Sequence, residues 1–378
     1  MFKRILPIWT GFLFLVMLIS IPQCTFSGDG RWFNLEGRQS ALDPKGPIAQ
    51  NQADIFYLIL WVTLFLFVTV GGALALAMWR FRERKSDDPN FIPKQSHGHP
   101  LIEVGLVVVS AALLVVIAIP TFGGILLKKQ VPVHLEADAI EVNVTGYQWW
   151  WGFEYTEQGI YTANEIVFPA GRAVKLNLHA NDVIHSFWLP KLAGKVDLIP
   201  GQVNTMWIKA DEPGYFWGQC AEFCGDSHAY MLFRAVALPE DEWEEWLERQ
   251  QRDTIVGDGD YAPVMEDIEN RELVLKGAEL YAEHCARCHS ADSRVQTMGP
   301  NLAHFGSRTS IAAGWMENEP EELHRWLKEP QKVKPGNFMW YGFPDPADPS
   351  RVQMEGLKDA NLSDSEVDAL VAYLYTLQ

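Results

Sequence analysis

The sequence predicts a multidomain membrane protein: a two-helix transmembrane hairpin, then an all-β sandwich, then an all-α block. Two apolar runs, Ile55–Trp79 and Val104–Leu127, are separated by a polar, basic connection. From Val131 the pattern turns to short alternating stretches between Gly, Pro, Asn and Asp turns, and from about Arg271 it turns helical. With 378 residues, 48% of them hydrophobic and 12% aromatic, the chain can bury more than one core, which excludes a disordered tail or linker. A net charge of -17 argues against a nucleic acid partner, because such binding rests on Lys and Arg displacing counterions from phosphates. An acidic face suits a basic protein partner, or simple solubility.

Residues 1–27 read as a signal sequence or N-terminal leader, since Lys3 and Arg4 precede an apolar run ending near Ile21. Thr25 and Ser27 suit a cleavage site, and Cys24 leaves lipidation open. The hairpin is assigned to 42–130. At ~1.5 Å rise per residue, each apolar run can cross a bilayer core of ~30 Å. Arg80, Arg82, Arg84 and Lys85 place the connection in the cytoplasm by the positive-inside rule, so the chain after Lys128 faces outward. Glu103 opens the second run, where an ionisable group is either an interfacial anchor or part of an ion path.

Residues 131–238 form the predicted sandwich. "IEVNVTG", "AVKLNLHA", "NTMWIKA" and "MLFRAVAL" alternate with period two, as strands with one buried face do. In "GYQWWWGFEY" the consecutive Trp149, Trp150 and Trp151 cannot share one side of a strand, so at least one is exposed or at an interface. Residues 239–271 read as an acidic helix and linker with a solvated face. In 272–378 the stretches "RELVLKGAELYAEHCARCH" and "LSDSEVDALVAYLYTLQ" are helices, the last one opened by Ser363 and Glu366 at capping-box spacing.

Chemistry concentrates in "CAEFCGDSHAYM", which holds two of the five cysteines. Cys220 and Cys224 can each bridge the same two metal ions, and thiolates joined by imidazole and thioether favour copper over hard cations. One loop cannot close two coordination spheres, so His185, in "NDVIHSFWLP" at the end of a predicted strand, is the added donor. The set is then bridging Cys220 and Cys224, terminal His185 and His228, a weak Met231 and the backbone oxygen of Glu222. A disulfide or a structural zinc site are the alternatives, although a disulfide leaves His228 and Met231 unexplained and zinc seldom recruits Met.

The second motif is "CARCH". Cys285 and Cys288 have the spacing that attaches a c-type haem through thioether bonds, with His289 as an iron ligand. Met339, in the Pro- and Gly-rich "KPGNFMW", is the candidate second axial ligand, and Met298 a competitor.

Together, "HSFWLP" and "GQCAEFCGDSHAYM" resemble the copper A site of cytochrome c oxidase subunit II, a cupredoxin-like domain on a two-helix hairpin, over roughly Leu42–Leu238. Residues from Glu272 onward resemble a class I cytochrome c, "MGPNL" being the segment that backs the haem histidine through Pro300. This resemblance implies a fused subunit II of a caa-type oxidase with a dinuclear copper A centre and one covalent haem c. It implies magnesium shared with subunit I through Glu222, with Asp197 near that region. It also makes Trp149 the point where electrons from cytochrome c arrive and Glu103 the mouth of a proton path. Gln202 stands where the family commonly has arginine, and the "WT..P" that usually follows the glutamate is absent. The first and last cytochrome helices should cross near Gly277 and Tyr373.

The implied partners are subunit I, carrying a low-spin haem and a haem–copper centre, subunit III, membrane lipid, and a cytochrome c or quinol–cytochrome c reductase-type donor. The implied location is a bacterial inner membrane, with both redox domains on the periplasmic or outer face. The expected function is electron delivery for oxygen reduction to water coupled to proton pumping. The alternatives are a copper A-type nitric oxide reductase subunit and a tethered shuttle without an oxidase.

Overall fold

The computed structural model describes residues 35–82, 98–252, 271–345 and 348–378. The leader, Cys24, Arg84, Lys85, His97 and residues 253–270 of the linker lie outside the described residues.

Two helices form the hairpin, α1 (Pro47–Arg80) and α2 (Pro100–Lys129). Both are long and apolar enough to cross a membrane, and their large apolar side chains point outward along most of their length. The first helix begins well before its apolar run. Its opening turns bury Ile48, Ala49 and Ala53, and Ala49 N–H donates to Leu192 O, so this end is held by protein. An ion pair of Lys191 with Asp43 (2.7 Å), in the segment before α1, and a hydrogen bond from Trp207 Nε1 to Leu127 O of α2 (2.8 Å) fasten the sandwich to the hairpin.

The sandwich has ten strands: β1 (Ile140–Tyr147), β2 (Trp150–Tyr155), β3 (Ile160–Ala163), β4 (Glu165–Pro169), β5 (Val174–Ala180), β6 (His185–Trp188), β7 (Lys195–Leu198), β8 (Asn204–Ile208), β9 (Gly214–Cys220) and β10 (Leu232–Leu238). One sheet runs β3-β2-β1-β5-β8 and the other β4-β10-β9-β6-β7. The alternation read from "IEVNVTG" appears as strict inward and outward burial along β1. Trp151, Phe153, Phe187 and Phe233 fill the space between the sheets, with Phe187 stacked on Phe233 at 4.2 Å.

The acidic helix α3 (Glu240–Gln251) is not wholly solvated. It buries Trp243, and Trp243 and Trp246 pack against Tyr155 at 6.0 and 5.4 Å.

In the last block, α4 (Arg271–His284) crosses α6 (Asp364–Tyr375), with α5 (Pro320–Lys328) beside them. The capping box at Ser363 and Glu366 is present. Gly277 is where the helices touch, since a Cβ there would strike the Ala369 carbonyl and stand 2.7 Å from Tyr373 Cβ. Overpacking of this kind costs about 1–3 kcal/mol. Gly277→Val is therefore expected to lower the melting temperature of the C-terminal block by several degrees. A thermal scan of the full chain in detergent checks this, and an unchanged transition would refute the crossing.

Candidate functional site

The metal loop is the β9–β10 connection, closed at its base by Cys220 N–H donating to Met231 O at 2.9 Å. Strand β6 lies antiparallel beside β9, pairing Phe187 with Cys220, which brings His185 to the same end of the sheet. The six predicted donors converge there. The two sulfurs are 3.8 Å apart, His185 Nδ1 is 3.9 Å from Cys220 Sγ, and His228 Nδ1 is 3.6 Å from Cys224 Sγ. Cys220 Sγ lies 3.2 Å from Glu222 O, and Cys224 Sγ lies 3.8 Å from Met231 Sδ. His185, Cys220 and Cys224 are all buried, and their ligating atoms lie within 4.8 Å of one another.

Two buried thiols this close cannot both ionise without a cation. The hydrogen bond from Cys224 holds Cys220 far below the ordinary thiol range, and the same bond, with burial, pushes Cys224 far above it. A bound soft cation removes the conflict by making both thiolates ligands. The donor set therefore fits copper, which both thiolates would hold, and the free cysteines at 3.8 Å are not a disulfide.

Asp182, which the sequence reading missed, sets the His185 tautomer. His185 Nε2 donates to Asp182 Oδ1 at 2.7 Å, turning Nδ1 toward Cys220. Asp182 also accepts from the backbone N–H of Gln148 and of Val183. Burial pulls the His185 pKa down, but the hydrogen bonds to Asp182 and Cys220 outweigh it and leave it raised. The signal was local: an acidic residue three positions before the histidine in "NDVIH".

The haem motif lines a cavity that also contains Met339, Trp149 and Lys334. His289 Nδ1 donates to Pro300 O at 2.7 Å, which leaves Nε2 as the free acceptor, and desolvation holds the ring below its usual pKa. Met339 sits on a one-turn helix, Phe338–Tyr341, where a loop was expected. Met298 is 37% exposed at the surface. A third methionine, Met354, places its Sδ 3.0 Å from Cys288 Sγ. Apolar walls, two attachment thiols and an oriented imidazole fit a covalent haem.

None of the three consecutive tryptophans is exposed. Trp149 is 7% exposed, covered by the cytochrome block, and its Nε1 donates to Cys224 O at 2.9 Å. Gln148 Nε2 donates to the same oxygen at 2.7 Å. Glu222 and Glu103 are exposed, and Asp197 is half-buried.

These features define a membrane-anchored electron carrier with a metal-binding β-sandwich and a c-type haem block. Residues 36–123 match the family described as cytochrome C oxidase subunit II, transmembrane domain. Residues 158–237 match cytochrome C oxidase subunit II, periplasmic domain, and residues 274–378 match cytochrome c. Cytochrome c oxidase subunit 2 of Alkalihalophilus pseudofirmus is 36% identical over 91% of this chain and 92% of its own length. The subunit 2 of Bacillus subtilis is 32% identical over 96% and 97%. Among solved structures, the periplasmic domain of subunit II of Bradyrhizobium japonicum cytochrome oxidase is 33% identical, covering 29% of this chain and 91% of that one at a TM-score of 0.28. The chain belongs to the cytochrome c oxidase subunit II family, in the form that also carries a cytochrome c domain; these two domains imply copper A and haem c.

Removing the Asp182 carboxylate leaves burial opposed by fewer partners. In the metal-free full chain, Asp182→Ala should lower the His185 pKa, so the imidazole is neutral down to more acidic pH. Proton NMR titration of the ring resonances measures this, and an unshifted midpoint would show that Asp182 does not control the ring.

Proposed function

We propose that this chain takes electrons at haem c and hands them through a dinuclear copper A centre to subunit I of a haem–copper oxidase. When bound, the haem and the copper pair supply the two electron carriers, and oxygen is reduced to water on subunit I with coupled proton pumping. Cys285 and Cys288 attach the haem and His289 and Met339 hold its iron. His185, Cys220, Glu222, Cys224, His228 and Met231 hold copper.

The observation that carries this reading is Trp149. Its ring lies 6.1 Å from Phe338 and nearly parallel to it, it lines the haem cavity, and its Nε1 bonds the carbonyl of Cys224. One side chain thus joins the haem cavity to the metal loop. Because the cytochrome block covers it, Trp149 is placed to receive electrons from this chain's own haem domain. The external donor, a cytochrome c or a quinol–cytochrome c reductase-type complex, then delivers to the cytochrome block.

Six donors, with His185 Nδ1 and Glu222 O at Cys220 and His228 Nδ1 and Met231 Sδ at Cys224, are enough to hold two ions that share both thiolates. Glu222 and the neighbouring Phe223 are exposed, as suits a face for subunit I and a magnesium ion shared there. Glu103, at the start of α2, is the proposed mouth of a proton path. The chain sits in a bacterial inner membrane with both redox domains on the outer face and subunit III in the assembly. A nitric oxide reductase subunit or a free shuttle is not favoured, because relatives spanning nine-tenths of the chain are cytochrome c oxidase subunits.

The test is oxygen uptake by the native complex, purified through this chain and fed with a reduced artificial donor. Cyanide-sensitive uptake is expected, and none from a fully loaded complex would overturn the oxidase reading. Cys220→Ser or Cys224→Ser should erase the copper A absorption and stop electrons beyond the haem. Full uptake in either variant would show that another route exists. Met339→Ala should lower the haem potential and remove the methionine–iron charge-transfer band; if the band survives, another residue is the ligand.

A further inference from the structure

Each of the two redox domains buries an ionisable side chain that binds across to the other. Glu165 opens β4 of the sandwich and is 7% exposed. Its carboxylate accepts from Thr309 N (3.1 Å), Thr309 Oγ1 (2.7 Å), Ser310 N (2.8 Å) and Ser310 Oγ (2.7 Å), all on the cytochrome block. In the other direction, Lys334 of the cytochrome block is 4% exposed, and its Nζ donates to Trp149 O at 2.6 Å and to Ala312 O at 3.3 Å.

The residues after Lys334 seat on the copper loop itself. Ser227 Oγ donates to Pro335 O at 2.6 Å. Gly336, with φ +78°, lies so close that a Cβ would stand 2.9 Å from Asp226 Oδ2 and 3.2 Å from Trp149 Cη2. The same segment leads directly to Met339.

A buried polar or charged group is unfavourable without its hydrogen-bond partners, so a misdocked pose that strands the Glu165 carboxylate or the Lys334 amine is penalised. We infer that Glu165 and Lys334 form a two-point latch that holds the cytochrome block on the copper domain in a single fixed pose. Electrons then cross a standing contact and need no repeated encounter between separate domains. The functional part rests on reading the two centres as haem c and copper A; the latch itself does not.

Hydrogen exchange on the full complex reads the latch without reference to the metals. The amides of Thr309 and Ser310 should be protected in the wild type and exchange at least tenfold faster in Glu165→Ala and in Lys334→Met. Glu165→Gln, which keeps a carbonyl acceptor, should be intermediate. Thr309→Val with Ser310→Ala removes two donors without introducing a new charge, and should also loosen the contact if the charge variants fold poorly.

Photoreduction of the haem then reads the role in transfer. The wild-type haem-to-copper rate should not change with solvent viscosity, whereas Glu165→Ala should be at least tenfold slower and fall as viscosity rises. Unprotected wild-type amides would overturn the proposal, as would a Glu165→Ala, Lys334→Met double variant with wild-type protection and viscosity-independent transfer. Protected amides without transfer in a metal-loaded wild type would support the latch and overturn the relay.

Discussion

Two thiols 3.8 Å apart in a buried loop form the constraint around which the outer part of this chain is organised. Close like charges in a low dielectric repel strongly, so the hydrogen bond between the two sulfurs pulls the Cys220 pKa down and pushes the Cys224 pKa up. The fold prepares this loop for a cation. The β9–β10 hairpin closes it at Cys220 and Met231, and β6 delivers His185 from the neighbouring strand. Asp182 then fixes which nitrogen faces the sulfurs. Each imidazole turns Nδ1 to a different sulfur, so donors reach the thiol pair from both sides.

The same loop is the floor on which the cytochrome block rests. The Cys224 carbonyl accepts from both Gln148 and Trp149, so the backbone just after the second thiol is held from the side facing the haem cavity. Burying Trp149 there serves packing and chemistry together. An indole has a large apolar face to cover and one N–H to satisfy, and this position supplies both. Glu222 and Phe223 remain exposed on the loop, so the covered and open faces of the copper site are distinct.

Much of this was legible because it is local. Period-two alternation reported the strands, and the capping box reported the start of the last helix. The cysteine, histidine and methionine spacings placed their donors within one loop or one cavity. What was missed depends on contacts remote in sequence. Glu165 meets Thr309 across 144 residues and Lys334 meets Trp149 across 185, and neither residue has a local pattern distinguishing it from an ordinary surface charge. The early start of α1 was hidden for a related reason: its first turns bury only Ile48, Ala49 and Ala53 between polar neighbours, whereas an uninterrupted apolar run reports contact with lipid. Trp149 was recognised as special, but its covering by the chain's own cytochrome block is a tertiary fact.

The standing contact raises the question of what it adds to a simple tether. A short flexible linker gives an effective concentration on the order of millimolar. With protein association rate constants of ~10⁵–10⁷ M⁻¹s⁻¹, encounters would occur roughly 10²–10⁴ times per second. Enzyme turnover is commonly ~10 per second, so a tether alone would sustain it. The benefit of a fixed pose therefore lies in geometry. Electron transfer needs the same close approach on every turnover, and the stacked Trp149 and Phe338 provide it only when the 334–336 segment is seated. Trp149, Ser227 and Lys334 are all buried in the same contact. A preformed junction of buried groups reduces the solvent rearrangement that accompanies each charge movement, which random encounters of solvated surfaces could not do.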